Sequence, residues 1–248
     1  MMAAPIVEDK FVISSYETDT AARIKGQYIQ NHLQEIAYQG SEFCGCSYEV
    51  LRTRGLFWAL NRIHFQVLEC PKWGDEVILQ TWSRGQTGPL WHRNFRMYKA
   101  GDMSSPVILG TSAWTLLDLE NRSIFRGETG YDESLHYAED TLPFCTKIAV
   151  PRELGQVGEA THTVLFSDLD TNGHANNCQY TQWAMDALPL EYVKSHILRD
   201  VQVCYYHEIH AGETVALSVA RDGDTWFVTG KVGELQCFVE RIEFAAEA

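Results

Sequence analysis

No apolar run in this sequence approaches the roughly 20 residues that a helix needs to cross a bilayer, so no membrane span is expected. Basic residues are scarce. Twenty Lys and Arg stand against 33 Asp and Glu, and the net charge of −13 argues against nucleic acid or an anionic membrane as a broad-surface partner. Low-complexity and long polar tracts are also missing, which excludes disorder as the main state of the chain. The seven cysteines form no C-x-x-C pair, and Cys44-Gly45-Cys46 has no partners at metal-ligand spacing. The thiols therefore read as reduced and idle, in a cytoplasmic protein with no metal and no cofactor. Residues 1–10 lack the basic start and apolar stretch of a signal peptide, and strand-like sequence follows almost at once, leaving no room for a long transit peptide.

What is present is a core-forming chain of 248 residues, 45% hydrophobic, enough for one large or two small cores. A short strand is predicted at 11–15. A helix over 21–37 follows, with N-cap oxygens from Thr18, Asp19 and Thr20, apolar residues Ile24, Tyr28, Ile29, Leu33 and Ile36 at helical spacing, and Gly40 as its stop. Residues 41–54 carry no clear period. Strands are predicted at 56–69, 76–82, 90–99 and 107–117, rich in β-branched and aromatic residues and broken by Gly and Pro, as in an antiparallel meander.

The second half repeats the plan. A strand at 160–166 leads to a helix at 177–188, stopped by Pro189, and strands follow at 198–209, 213–220, 225–232 and 235–244. Ile63-His-Phe-Gln-Val and Gly74-Asp-Glu-Val-Ile-Leu79 align without a gap with Val201-Gln-Val-Cys-Tyr and Gly212-Glu-Thr-Val-Ala-Leu217, at a constant offset of 138 residues. This points to tandem duplication. A strand, a long helix and a run of antiparallel strands is the layout of the hotdog fold, in which a helix buries its apolar stripe on a curled sheet. The expectation is an α+β tandem, or double, hotdog. Residues 1–126 would form an N-terminal hotdog, 127–159 a linker, and 160–248 a C-terminal hotdog with the reactive residues. A crevice between the halves is a natural ligand site.

The polar stretch 168–177, Asp-Leu-Asp-Thr-Asn-Gly-His-Ala-Asn-Asn, sits where a strand hands over to a helix N-terminus. On its own it reads first as a turn and cap, and second as a hydrolytic site favoured by unpaired backbone N–H groups and the helix dipole. The duplication supplies an internal control. Asp170-Thr-Asn-Gly-His174 corresponds to Asp19-Thr-Ala-Ala-Arg23, so Asp-Thr recurs while Asn172 and His174 occur only in the second half. Capping does not require them there. Glu208, at the end of the next strand, corresponds to Cys70 and is a second acidic candidate beside the mouth of the helix.

The same stretch resembles the D-x-N-x-H-x-N-N signature of plant and bacterial acyl-acyl carrier protein thioesterases. Trp58-Ala-Leu-Asn-Arg-Ile-His64, Pro71-Lys-Trp-Gly-Asp75 and Thr111-Ser-Ala-Trp-Thr115 look like that family's N-terminal hotdog, and the likeness spans roughly residues 8–244. The resemblance implies hydrolysis of a fatty acyl thioester on the phosphopantetheine arm of acyl carrier protein. It implies Asp170, Asn172, His174 and Glu208 as catalytic residues. Plant members carry a cysteine beside the glutamate, but Ile209 stands here, so no cysteine nucleophile exists at that position. Cys178 and Cys204 lie near the site in sequence and read as structural. Glu208 or Asp170 is expected to act as general base on water, or Asp170 to attack directly; Asn172 would orient or bind, His174 would polarise the thioester or shuttle a proton, and N–H groups at the start of the helix would hold the oxyanion. An acidic carrier docking on an acidic enzyme calls for a local basic patch, either Arg52, Arg54 and Arg62 or Arg84, Arg93, Arg96 and Lys99. A homodimer is compatible with the sequence. Other readings are a hydratase or dehydratase of acyl thioesters, an acyl-coenzyme A thioesterase and a non-catalytic acyl-binding module.

Overall fold

The computed structural model describes residues 5–246, so the first four residues of the segment inspected for a leader lie outside it. In the first half, β1 (Val7–Val12) is followed by α1 (Gly26–Phe43), α2 (Tyr48–Thr53), β2 (Leu56–Val67), β3 (Glu76–Thr87), β4 (Leu90–Lys99) and β5 (Ile108–Asp118). In the second, β6 (Gln156–Thr163) precedes α3 (Asn177–Asp186), α4 (Leu190–Ser195), β7 (His196–Tyr205), β8 (Thr214–Asp222), β9 (Thr225–Val232) and β10 (Leu235–Ala246). Apart from one short 3-10 turn at Glu133–Leu135, residues 119–155 hold no regular structure.

The ten strands form one antiparallel sheet in the order β1-β3-β4-β5-β2-β7-β10-β9-β8-β6. This order is a palindrome of the two repeats, as a double hotdog requires. Its centre is the pairing of β2 with β7, where His64 lies opposite Gln202. Those two residues are repeat equivalents at the 138-residue offset, so the pseudo-twofold axis passes through that pair. Helices α1 and α3 pack against each other and against one face of the sheet. Their apolar stripes, with Ile29, Leu33 and Ile36 from α1 and Tyr180, Trp183 and Ala184 from α3, join Phe65, Phe95, Val203 and Phe238 in the core.

On the opposite face the seam is polar. Asp200 accepts from His64 Nε2 at 2.8 Å, Gln66 Nε2 at 3.0 Å and Arg241 Nη2 at 2.6 Å, and is itself buried. Asp200→Ala strands those donors and is expected to lower the unfolding free energy by about 1–3 kcal/mol. The denaturant midpoint at constant m reads this, and an unshifted midpoint would show that the seam holds without the carboxylate.

Several element boundaries differ from the sequence reading, for local reasons. Helix α1 starts at Gly26, because Asp19 and its neighbours fold a separate loop before it. Gly40 lies inside α1 rather than ending it; the helix stops at Cys44, and Gly45 takes φ +80° beyond it. The unassigned residues 41–54 complete α1 and form α2. Strand β3 continues to Thr87 because Gly85, read as a break, is a bulge residue at φ +83°. Strand β1 spans Val7–Val12, short of the residues at 13–15, and β6 begins at Gln156, inside the segment read as linker.

Candidate active site

The stretch 165–176 is held as a rigid loop before α3. A 3-10 turn at Phe166–Asp168 is closed by the Asp168 carboxylate, which accepts from Leu165 N at 2.7 Å and His162 Nε2 at 2.9 Å. Asp170 then organises the next turn. Its Oδ1 accepts from the backbone N–H of Asn172 at 2.8 Å and of His174 at 3.3 Å, its own N–H donates to His174 O at 2.8 Å, and Gly173 takes φ +79° between them. Asn172 Nδ2 lies 3.4 Å from the second oxygen of Asp170. Asn176 caps α3 through Cys178 N at 3.0 Å.

This loop is bound to the segment after β7. Ala175 N donates to Ile209 O at 2.9 Å, and His174 and His210 form an antiparallel bridge. The result is that His174 Nδ1 and Glu208 Oε1 stand 3.5 Å apart, although Glu208 lies in the loop beyond the strand rather than on it. His210 packs edge-on against the His174 ring. Ile209 is fully buried, so the alternation of the chain sends Glu208 outward toward the cleft and its neighbour into the core.

The first half builds the same loop without the reactive groups. Asp19 Oδ1 accepts from Ala21 N and Arg23 N at 2.8 and 2.9 Å, and Arg23 bridges to Lys72 as His174 does to His210. The Arg23 guanidinium bonds Asp19 Oδ2 and the carbonyls of His196 and Lys194. It ties the two halves together at the place where the second half holds an imidazole. The aspartate therefore has a loop-building function in both halves, while the imidazole with a carboxylate beside it belongs to one.

Asp170, Asn172, His174 and Glu208 all line a cleft of about 540 Å³ between the halves. The opposite wall comes from α1 and β2, including Gln34, Tyr38, Trp58 and Asn61. Asn61 is the extra residue of a bulge in β2, between Leu60 and Arg62, which opens this wall. Tyr38, Trp58 and Trp114 also line a separate, smaller chamber of about 40 Å³ in the first half.

Two expectations change. The N–H groups of Asn176, Cys178 and Gln179 at the start of α3 are bonded to Asp168 O, Asn176 Oδ1 and Asn176 O, which narrows the expected backbone oxyanion donors there to Asn177, a residue that lines the cleft. The Asn172 amide and the His174 ring are side-chain donors on the same wall. The expected basic patches are also largely engaged. Arg84 pairs with Asp140, Arg96 with Glu139 and Lys99 with Glu69; Arg62 bonds Cys145 O, Arg54 bonds the carbonyls of Glu128 and Thr129, and Arg93 is buried. Arg52 lines the cleft. Sequence reading missed Arg122, whose Nη1 lies 3.2 Å from Glu208 Oε1 while its guanidinium stacks over Phe57. It sits in a tight turn after β5 at φ +58°, and no sequence signal places that turn beside residue 208.

Cys178 is fully buried, and burial pushes its thiol well above the ordinary range; the same cause raises Cys204. Neither is a thiolate available for attack. Cys178→Ala is expected to keep turnover of the parent's order, and loss of hydrolysis in that folded variant would restore a thiol mechanism.

A double hotdog with a histidine–carboxylate pair on an inter-repeat cleft is the architecture of thioester-handling enzymes. The chain belongs to the acyl-ACP thioesterase family: the model of that family's N-terminal domain matches residues 6–131 and that of its C-terminal domain residues 152–237. Oleoyl-acyl carrier protein thioesterase 1 of Arabidopsis thaliana is 26% identical over 227 residues, covering 84% of this chain and 62% of its own length. The chain thus spans about three-fifths of the curated relatives it matches. Among solved structures, the 12:0-ACP thioesterase from Umbellularia californica superposes with a TM-score of 0.88 at 20% identity, covering 100% of both chains. An acyl-ACP thioesterase from Bacteroides thetaiotaomicron gives 0.87 at 21% identity, covering 97% of this chain and 98% of its own. These likenesses establish the fold. Among the described residues, no helix is long and apolar enough to cross a membrane.

Proposed function

We propose that this protein hydrolyses fatty acyl-acyl carrier protein thioesters to free fatty acid and holo-acyl carrier protein. The observation that carries the reading is the His174–Glu208 pair, 3.5 Å apart, on a cleft that shares three aromatic walls with a neighbouring chamber. The carboxylate of Glu208, 3.5 Å from His174 Nδ1, favours the proton on that nitrogen, which leaves Nε2 as the basic one. A water gives its proton to Nε2 while its oxygen attacks the thioester carbon. The amide of Asn172 stabilises the developing oxyanion. As the C–S bond breaks, His174 returns the proton to the departing thiolate. Asp170 holds the loop and orients Asn172, and with Oδ1 already accepting two N–H groups it is a poor nucleophile. Arg122, 3.2 Å from Glu208 Oε1, holds that carboxylate turned toward His174. The acyl chain occupies the first-half chamber, the catalytic residues lie in the second half, and the 127–159 segment joins the two. The reduced cysteines suit the cytoplasm.

The test is hydrolysis of acyl carrier protein thioesters of graded chain length, with coenzyme A esters alongside, followed by a thiol-reactive dye and by enoyl absorbance. Dye signal with the carrier-protein substrates is expected. Enoyl product without thiol would indicate a hydratase or dehydratase, and preference for coenzyme A esters would displace the carrier protein.

A further inference from the structure

The small chamber that shares Tyr38, Trp58 and Trp114 with the cleft has aromatic walls, Trp58, Trp91, Trp114 and Tyr131, but its lining also includes an arginine. Arg93 lies on β4 with its guanidinium against α1. A Cβ at Gly40 would stand 2.0 Å from Arg93 Nη1, so the glycine in mid-helix is the space in which this guanidinium lies. The side chain is 7% exposed. Nearby arginines have acidic partners, Arg84 on β3 with Asp140 and Arg96 on β4 with Glu139, whereas no carboxylate among the described residues pairs with Arg93. Its one hydrogen bond runs from Nη1 to Thr81 Oγ1, at 3.3 Å. The residues directly opposite it on the flanking strands are Ser83 and Ser112. Ser41 and Ser83 line the chamber beside it.

A buried cation with five N–H donors and hydroxyls for company is short of acceptors. A chamber meant only for a methyl terminus gains nothing from it, because an alkyl end leaves those donors unpaired. An oxygen brought in on the substrate supplies what is missing. We propose that this chamber selects acyl thioesters whose chain carries a hydrogen-bond-accepting oxygen toward its far end, as hydroxyl, carbonyl or carboxylate, with Arg93 as the residue that reads it. The inference rests on the thioesterase reading above and names the acyl class for that site. A cavity of about 40 Å³ has room for roughly three water-sized groups, which fits the end of a functionalised chain. A hydrogen bond to a charged donor in such a place is worth roughly ten- to a hundredfold in selection.

The experiment compares kcat/KM for unsubstituted, ω-hydroxy and ω-carboxy acyl thioesters over a graded series of lengths, on the full chain. At the length that reaches the chamber, an oxygenated chain is expected to exceed its unsubstituted counterpart by roughly ten- to a hundredfold. In Arg93→Met the ratio is expected to fall to about one. Gly40→Ala, which pushes the guanidinium aside and keeps the charge, is expected to reduce the ratio too, and it serves where Arg93→Met fails to fold. Calorimetric binding of the non-hydrolysable thioether analogues reads the same preference without turnover. Brisk hydrolysis with equal or better use of unsubstituted chains at every length overturns this inference and leaves the thioesterase reading standing. No hydrolysis of any thioester overturns that reading, and the thioether binding series then decides the chamber's preference by itself.

Discussion

His174→Ala is expected to lower kcat/KM for a fatty acyl thioester by about 10²–10⁴-fold, with circular dichroism and melting unchanged. The ring lies on the cleft wall with a carboxylate 3.5 Å from Nδ1, and its Nε2 is the nitrogen proposed to exchange a proton with water. Its side chain makes no core contact that the fold depends on, since the loop is held by backbone bonds from Asp170, Ala175 and Asn176. Glu208→Gln is expected to act on kcat in the same direction, because the amide no longer draws the proton onto Nδ1. Asp170→Asn differs in kind. Its amide turns a donor toward the N–H groups of Asn172 and His174, so it loosens the loop and should lower both activity and thermal stability. Steady-state kinetics with a thiol-reactive dye reads all three. Turnover of His174→Ala within about tenfold of the parent would remove the ring from the mechanism.

The second large effect concerns pH and lies away from the cleft. Glu240, on β10, is fully buried, and neither carboxyl oxygen has a hydrogen-bond partner. Burial pushes its pKa from 4.5 up to about 8. The folded state therefore holds a proton there that the unfolded chain releases above pH 4.5. Stability falls as pH rises from the unfolded value toward about 8 and is level above it, losing roughly 1.4 kcal/mol per pH unit and on the order of 5 kcal/mol in all. Glu240→Gln keeps the shape of the protonated acid and cannot ionise. Denaturant unfolding across this range should show the slope in the parent and its absence in the variant, with the variant the more stable at pH 8. Parallel curves would mean that the carboxyl finds water or a partner in solution.

Much of the sheet was legible because its strands are β-branched and aromatic between clear Gly and Pro breaks, and the 138-residue repeat then dictates two equivalent halves. The joining of those halves through β2 and β7 was not legible, because register between distant strands is a tertiary choice. Gly40 shows the same limit at one residue: it carries a stop signal in letters, yet its purpose is space for Arg93, a neighbour from another strand. Asp19 and Thr20 carry cap signals but serve the loop before α1, a loop whose twin holds Asp170. In the site, Asp170, Asn172 and His174 lie within one local stretch and stand out once the halves are compared. Glu208 showed only as an acidic candidate at a strand end until the resemblance to a known family gave it a role, and Arg122 left no trace, since it meets Glu208 only through the folding of two separate turns.

The most direct test of the central claim is a double-mutant cycle on kcat/KM with His174→Ala, Glu208→Gln and their combination, using an acyl carrier protein thioester. One catalytic unit predicts that the double variant is no slower than the slower single variant, because removing either member already disables the pair. Losses that multiply would mean that the two side chains act independently, and the coupled mechanism drawn from their proximity would be wrong.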